Sequence, residues 1–303
     1  MDLLIGFTTI LIVIACGAAL AHVGVLDASS QRTLGEIAFF VASPALMIVV
    51  ISEVEISGAA ANFGASATAL AVSFIAYAAI VRSRWKLDAG SVLIGSLSAS
   101  YANAGNLGIA VAAFVVGDTT VVVPTLLVQM MVVQPIALMV LDRLTGRGVG
   151  AWSTIRRLTT NPLTIASVVG VTLAVTGWEL PRVVDSPIRL LSGLAIPAML
   201  MSYGAALRLS PWPGKAGHNG EMLVATTLKM LVMPVVAWLA GMSFGLEGTA
   251  LLGVVIMAAL PTAQNIFLHA TRYRTGEDVA RETILVTTLC SLPVALLIAV
   301  LLG

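Results

Sequence analysis

Charge is what this 303-residue sequence has least of. Asp, Glu, Lys and Arg make up 10% of it, against roughly 25% in ordinary soluble domains. With 58% hydrophobic residues, a soluble core could not hide the apolar surface, so the chain takes lipid as its solvent. The net charge of +1 comes with no basic stripe interleaved with aromatics, which excludes a nucleic-acid partner. Cysteine is almost missing: Cys16 and Cys290 fall in apolar runs, read as small buried hydrophobes, and offer neither a disulfide framework nor a metal-ligand spacing. The three histidines, His22, His218 and His269, are scattered and form no metal-binding pair. A Gly-x-x-x-x-Gly-Lys phosphate loop is also lacking, which argues against ATP-driven pumping. Ser98 and Ser100 have no base in reach except His269 near a helix end, so neither an enzyme nor any cofactor is expected. Finally, no Lys or Arg precedes Leu3, so residues 3–21 read as a retained membrane span rather than a cleaved signal.

What is present is a succession of apolar runs near the length of about 20 residues that a bilayer-spanning helix needs. Ten qualify: 3–21, 33–52, 59–81, 90–116, 120–141, 161–178, 187–207, 221–243, 248–271 and 282–301. The expected fold is therefore an all-α membrane protein of ten transmembrane helices. The longest linker, 142–160, divides it into halves 1–141 and 161–303. With the N-terminus outside, the cytoplasmic loops hold thirteen of the sixteen Lys and Arg: Arg32, Arg82, Arg84, Lys86, Arg143, Arg147, Arg156, Arg157, Arg208, Lys215, Arg272, Arg274 and Arg281. The opposite side holds Arg182 and Arg189, and Lys229 lies inside a span. By the positive-inside rule both termini face away from the cytoplasm, in what reads as a bacterial inner membrane. Trp85, Trp152, Trp178 and Trp212 sit at span ends, as interface anchors do.

The halves resemble each other. At an offset of 153, Gly17, Leu20 and Gly24 fall on Gly170, Leu173 and Gly177, and Pro44-Ala45 falls on Pro197-Ala198. At an offset of 158, Gly90, Leu93 and Gly95 meet Gly248, Leu251 and Gly253, while Pro135 meets Pro293. Glycines and prolines stay in register through successive pairings. Because five spans is an odd number, the second half enters from the opposite side. Such inverted repeats place a substrate at the midplane between them.

Spans four and nine carry matched interruptions. One reads Tyr101-Ala102-Asn103-Ala104-Gly105-Asn106-Leu107-Gly108, the other Leu260-Pro261-Thr262-Ala263-Gln264-Asn265. Amides at the bilayer centre are costly unless partnered, and Pro261 removes a backbone donor. Unwound backbone at that depth lines a cavity or is buried in protein. Each half-helix after a break presents free N–H groups and a partial positive charge. With the amides of Asn103, Asn106, Gln264 and Asn265, that environment suits a small organic anion.

Asn103-Ala-Gly-Asn-Leu-Gly108 resembles the Asn-x-Gly-x-x-Gly-x-Pro element of the auxin efflux carrier family, which includes bacterial malonate-type carriers and plant auxin exporters. Leu260-Pro261-Thr-Ala-Gln-Asn265 with Ala270-Thr-Arg-Tyr273 is similar to that family's second broken helix. Asn161-Pro162-Leu163 and Thr287-Thr288-x-x-Ser291-x-Pro293 fit as well. The family's final Pro is Ala110 here, so the first break is expected to rest on Gly105 and Gly108. The resemblance implies that broken helices four and nine cross, as in bile-acid symporters and NhaA-type antiporters. It also implies a moving domain of spans three to five and eight to ten on a scaffold of spans one, two, six and seven. That scaffold is often the surface of a homodimer. Substrate contacts are then assigned to Asn103, Gly105, Asn106, Gly108, Pro261, Gln264 and Asn265.

Outside the breaks, Lys229 lies roughly 12 Å into span eight at about 1.5 Å per residue. It reads as a snorkelling or paired lysine, or as an anion attractor that changes partners during transport. Glu36, placed in the first turn of span two, is a solvated helix-start carboxylate or a proton carrier. His269 suits the membrane interface. Gln129, Gln134, Thr287, Thr288 and Ser291 supply neutral oxygens, for interhelical bonds or a coupling ion. The leading reading is a secondary carrier of small organic anions working by alternating access, coupled to H+ or uncoupled. A sodium-coupled, bile-acid-type symporter is the nearest alternative, and a channel or membrane sensor stands further off. Absence of Asp or Glu at the breaks weighs against sodium.

Overall fold

A computed structural model describes residues 2–52, 59–145, 160, 162–209 and 219–303. Most of the 142–160 linker lies outside these, with Arg147, Trp152, Arg156, Arg157, Asn161, Trp212, Lys215 and His218. Among the described residues the protein is all-helical apart from one isolated bridge between extended residues. The helices are α1 (Asp2–His22), α2 (Ala28–Ser52), α3 (Ala59–Arg84), α4 (Ala89–Ser98), α5 (104–116), α6 (Thr119–Leu144), α7 (Pro162–Thr176), α8 (Arg182–Leu209), α9 (Asn219–Ser243), α10 (Gly248–Ala259), α11 (Asn265–Tyr273) and α12 (Glu277–Leu302). Six of them, α2, α3, α6, α8, α9 and α12, are apolar and 25 to 28 residues long. At about 1.5 Å per residue each exceeds the ~30 Å hydrocarbon thickness. Large apolar side chains such as Ile75, Val175, Leu190 and Val300 lie exposed, the surface a lipid solvent requires.

Proline shapes these long helices. A proline inside a helix lacks a donor and clashes with the carbonyl four residues back. In three helices the turn just before it widens to i→i+5 bonds, from Ser43 N–H to Ala38 O, Gln134 N–H to Gln129 O and Met233 N–H to Leu228 O. Pro44, Pro135 and Pro234 follow directly, so each helix continues through a π-turn where it would otherwise break.

The chain forms two compact units: Met1–Ala59, Gly105–Val123 and Arg157–Pro211 in one, and Ala60–Ala104, Pro124–Arg156 and Trp212–Gly303 in the other. Within the first, α1 lies backbone-to-backbone on α8. A Cβ at Gly17 would collide with the Met201 carbonyl, and one at Gly204 with that of Ile14. On α7, a Cβ at Gly170 would come 2.7 Å from Ile51 Cβ of α2. Small residues give membrane helices such close contact where the hydrophobic effect cannot drive association. Within the second unit, the Tyr77 ring packs where a Gly95 Cβ would stand. Tyr273 donates to the buried Asp142 carboxylate at 2.6 Å.

Three expectations need correction. Helix α2 begins at Ala28, capped by Asp27 accepting from Ser30 N–H. Glu36 therefore lies about two turns in, on an exposed face paired with Arg32 at 2.9 Å. The polar run Ser29-Ser30-Gln31-Arg32 hid this extension, since apolar content does not mark a helix end beyond the membrane. Cys16 and Cys290 are both exposed, not buried; in a chain solvated by lipid, apolar character does not separate inside from outside. The third correction concerns the first break.

Candidate functional site

Helix α4 stops at Ser98 and α5 resumes at Ala104, so the first break lies upstream of Gly105 and Gly108. Neither glycine takes a left-handed backbone conformation; both sit within the resumed helix. The N–H groups of Ala99, Ser100 and Tyr101 still bond back into α4, and what holds the chain open beyond them is the second break. Ala102 and Thr262 face each other as an antiparallel bridge. Asn103 N–H donates to Pro261 O at 2.8 Å, and Ala263 N–H to Tyr101 O at 3.1 Å. Two unwound strands thus satisfy each other's backbone where lipid offers no partner. Pro261, which has no N–H, serves here only as an acceptor.

Neighbouring helices complete the accounting. Thr262, fully buried, donates its hydroxyl to Ser98 O at 2.6 Å, capping an orphan carbonyl at the end of α4. Its backbone N–H reaches Thr287 Oγ1 on α12 at 3.1 Å. Tyr101 donates its hydroxyl to Gln134 Oε1 on α6 at 3.2 Å, and the same hydroxyl interacts with the Asn265 side chain. The corresponding orphan at the end of α10, Ala258 O, accepts from Lys229 Nζ at 2.6 Å. Met233 Sδ is that ammonium's other neighbour, at 3.3 Å, and Lys229 is fully buried, so it does not snorkel.

The predicted site residues separate accordingly. Asn103, Pro261 and Asn265 come together at the crossing strands. Asn103 is 4% exposed, and Asn265 Oδ1 is buried without a hydrogen-bond partner among the described residues. Gln264 also belongs to the second break and is exposed. Gly105, Asn106 and Gly108 follow the first break and belong to the first compact unit. Among the polar residues of neighbouring helices, Thr287 and Gln134 touch the crossover. Ser291 is buried and bonded to Thr288 O, and Thr288 is buried. Both amide atoms of Gln129 are buried with no partner among the described residues, as is His269 Nε2. Thr262 and Tyr101 carry the crossover, yet sequence reading assigned them no role. The only signal was position: a hydroxyl directly after Pro261, and a phenol two residues before the first Asn. No group of His, Cys, Asp and Glu among the described residues could hold a metal ion.

Chemically, the crossing brings together side-chain amides, that of Asn103 buried, without a carboxylate on either strand. Residues 5–299 match the family model described as membrane transport protein. A Rhizobium meliloti (strain 1021) protein named for malonate transport is 31% identical over 138 residues, 45% of this chain and 42% of that one. Auxin efflux carrier component 3a of Oryza sativa subsp. japonica is 29% identical over 152 residues, 49% of this chain and 24% of its own length. Auxin efflux carrier component 4 of Arabidopsis thaliana is 26% identical over 152 residues, again 49% and 24%. The matched stretch is thus less than half of each relative. The family match, by contrast, runs over nearly the whole chain: this integral, multi-pass membrane protein belongs to the membrane transport protein family, that of the auxin efflux carriers.

Proposed function

We propose that the protein is a secondary carrier of small organic anions, carboxylates above all, with its binding site at the crossing of the two unwound strands. The observation that carries this reading is the crossover itself: two strands held by reciprocal backbone bonds, with the amide of Asn103 buried on the first of them and the amide of Asn265 at the start of the helix after the second. The second strand leads into α11, whose N-terminal end carries the partial positive charge of a helix start, a setting that favours an anion. A ten-span inverted repeat accounts for two such breaks. It is supported by the exchanged packing in the first unit, where Gly17 of the first half meets α8 of the second and Gly170 of the second meets α2 of the first. In this reading both termini face away from the cytoplasm, and the unit holding the crossover is the part that moves during alternating access.

Purified protein in proteoliposomes, assayed for uptake of radiolabelled malonate and other short carboxylates, tests the proposal. Uptake should saturate and should be lost in Asn265→Ala while the variant keeps the wild-type melting temperature within a few degrees. No uptake of any carboxylate, or unaltered uptake by the variant, contradicts it.

A further inference from the structure

The two half-helices that end at the crossover are capped in different ways. Ser98 O of α4 accepts from a neutral hydroxyl, Thr262 Oγ1, at 2.6 Å. Ala258 O of α10 accepts from the lysine amine, Lys229 Nζ, also at 2.6 Å. Carbonyls at the C-terminal end of a broken membrane helix carry a partial negative charge, and in ion-coupled carriers such ends coordinate the transported cation. A buried ammonium on that carbonyl is therefore a cation already in place, supplied by α9.

The surroundings fit a permanent occupant. The Lys229 side chain is completely buried, and Met233 Sδ lies on its other side at 3.3 Å. Ala258 also lines a small pocket of about 10 Å³, together with Ser66, Thr125 and Met233. That is the volume of a single water-sized sphere. The Ser66 and Thr125 hydroxyls there already bond each other at 3.1 Å. The nearby polar oxygens are neutral, and among the described residues neither strand of the crossover carries a carboxylate that a bare metal ion would demand.

We propose that Lys229 is a tethered cation: its ammonium takes the place at the end of α10 where a cation-coupled carrier would bind sodium, so this protein works without a bound alkali ion. The inference rests on the carrier reading above and specifies its ion requirement. An ammonium held at this point offsets the partial negative charge of the half-helix end, and its positive charge adds to the attraction of the crossover for an anion.

The test needs no substrate, so a failure to bind carboxylates is read separately. Purified wild-type protein, Lys229→Asn and Lys229→Met are melted in choline chloride, sodium chloride and lithium chloride at equal ionic strength. The wild type should melt at the same temperature in all three salts. Lys229→Asn, which leaves room and an added oxygen beside Ala258 O, should melt lower in choline and recover at least in part in sodium or lithium. Lys229→Met, which removes the charge but keeps the volume, should melt lower in every salt. Stabilisation of the wild type by sodium overturns the proposal, since the ion then has a site of its own. So does a Lys229→Asn variant that is as stable as wild type in choline, is rescued by neither cation, or yields no folded protein in any salt.

Discussion

Replacing Thr287 by Val tests how the unwound strand is held. The hydroxyl is the acceptor for Thr262 N–H at 3.1 Å, and both residues are completely buried. Valine has the same shape, so no cavity forms, and the Thr283 carbonyl that loses the Thr287 hydroxyl keeps its place in the α12 ladder. The cost is then that of one orphaned backbone donor, about 1–3 kcal/mol. A domain of 150–250 residues loses roughly 2–4 °C per kcal/mol; taking about 2 °C for this longer chain, the melting temperature should fall by about 2–6 °C. Differential scanning fluorimetry in detergent gives the shift. Thr172→Val is the control: its exposed hydroxyl donates only to Val168 O one turn back, and the change should stay within about 0.5 kcal/mol. If Thr287→Val melts with the wild type, the bond does not hold the strand and the account of the crossover is wrong.

Two further outcomes follow from residues outside the membrane. Burial raises the Asp88 carboxyl, but bonds from the Ser91 hydroxyl and N–H and from the Thr275 hydroxyl outweigh it and hold the group below its ordinary value. A carboxyl lowered in the folded state stabilises above its unfolded pKa of about 3.9, and that contribution fades as pH falls through the folded value. Asp88→Asn, which still caps α4, should therefore show a shallower loss of melting temperature below about pH 4; an unchanged acid limb contradicts this. For orientation, Asp118→Cys in a chain with Cys16→Ala and Cys290→Ala should react with a membrane-impermeant maleimide from the non-cytoplasmic face, and labelling from the cytoplasm alone would reverse the topology.

Much of this was legible in the residues themselves. Apolar runs marked the six long helices, and the Asn- and Pro-bearing interruptions marked both breaks to within a few residues. With Ala110 standing where the family has proline, the residues near Asn103 point to Gly105 and Gly108 as the cause of the break. The structure places the cause in partner strands some 160 residues away, which no local pattern encodes. Lys229 shows the same limit. Its depth was readable from its place in an apolar run, but the carbonyl it caps belongs to another helix. Tyr101 with Gln134 and Tyr273 with Asp142 were likewise invisible, since each pair joins residues far apart in the chain.

The central claim is that the crossing strands bind a small carboxylate through Asn103 and Asn265. Scintillation-proximity binding of radiolabelled malonate, competed by a panel of unlabelled carboxylates, addresses it most directly. The account predicts saturable binding to wild type that is lost in both Asn103→Ala and Asn265→Ala while each remains folded. Full binding by either alanine variant, or no carboxylate bound by the wild type, would contradict it.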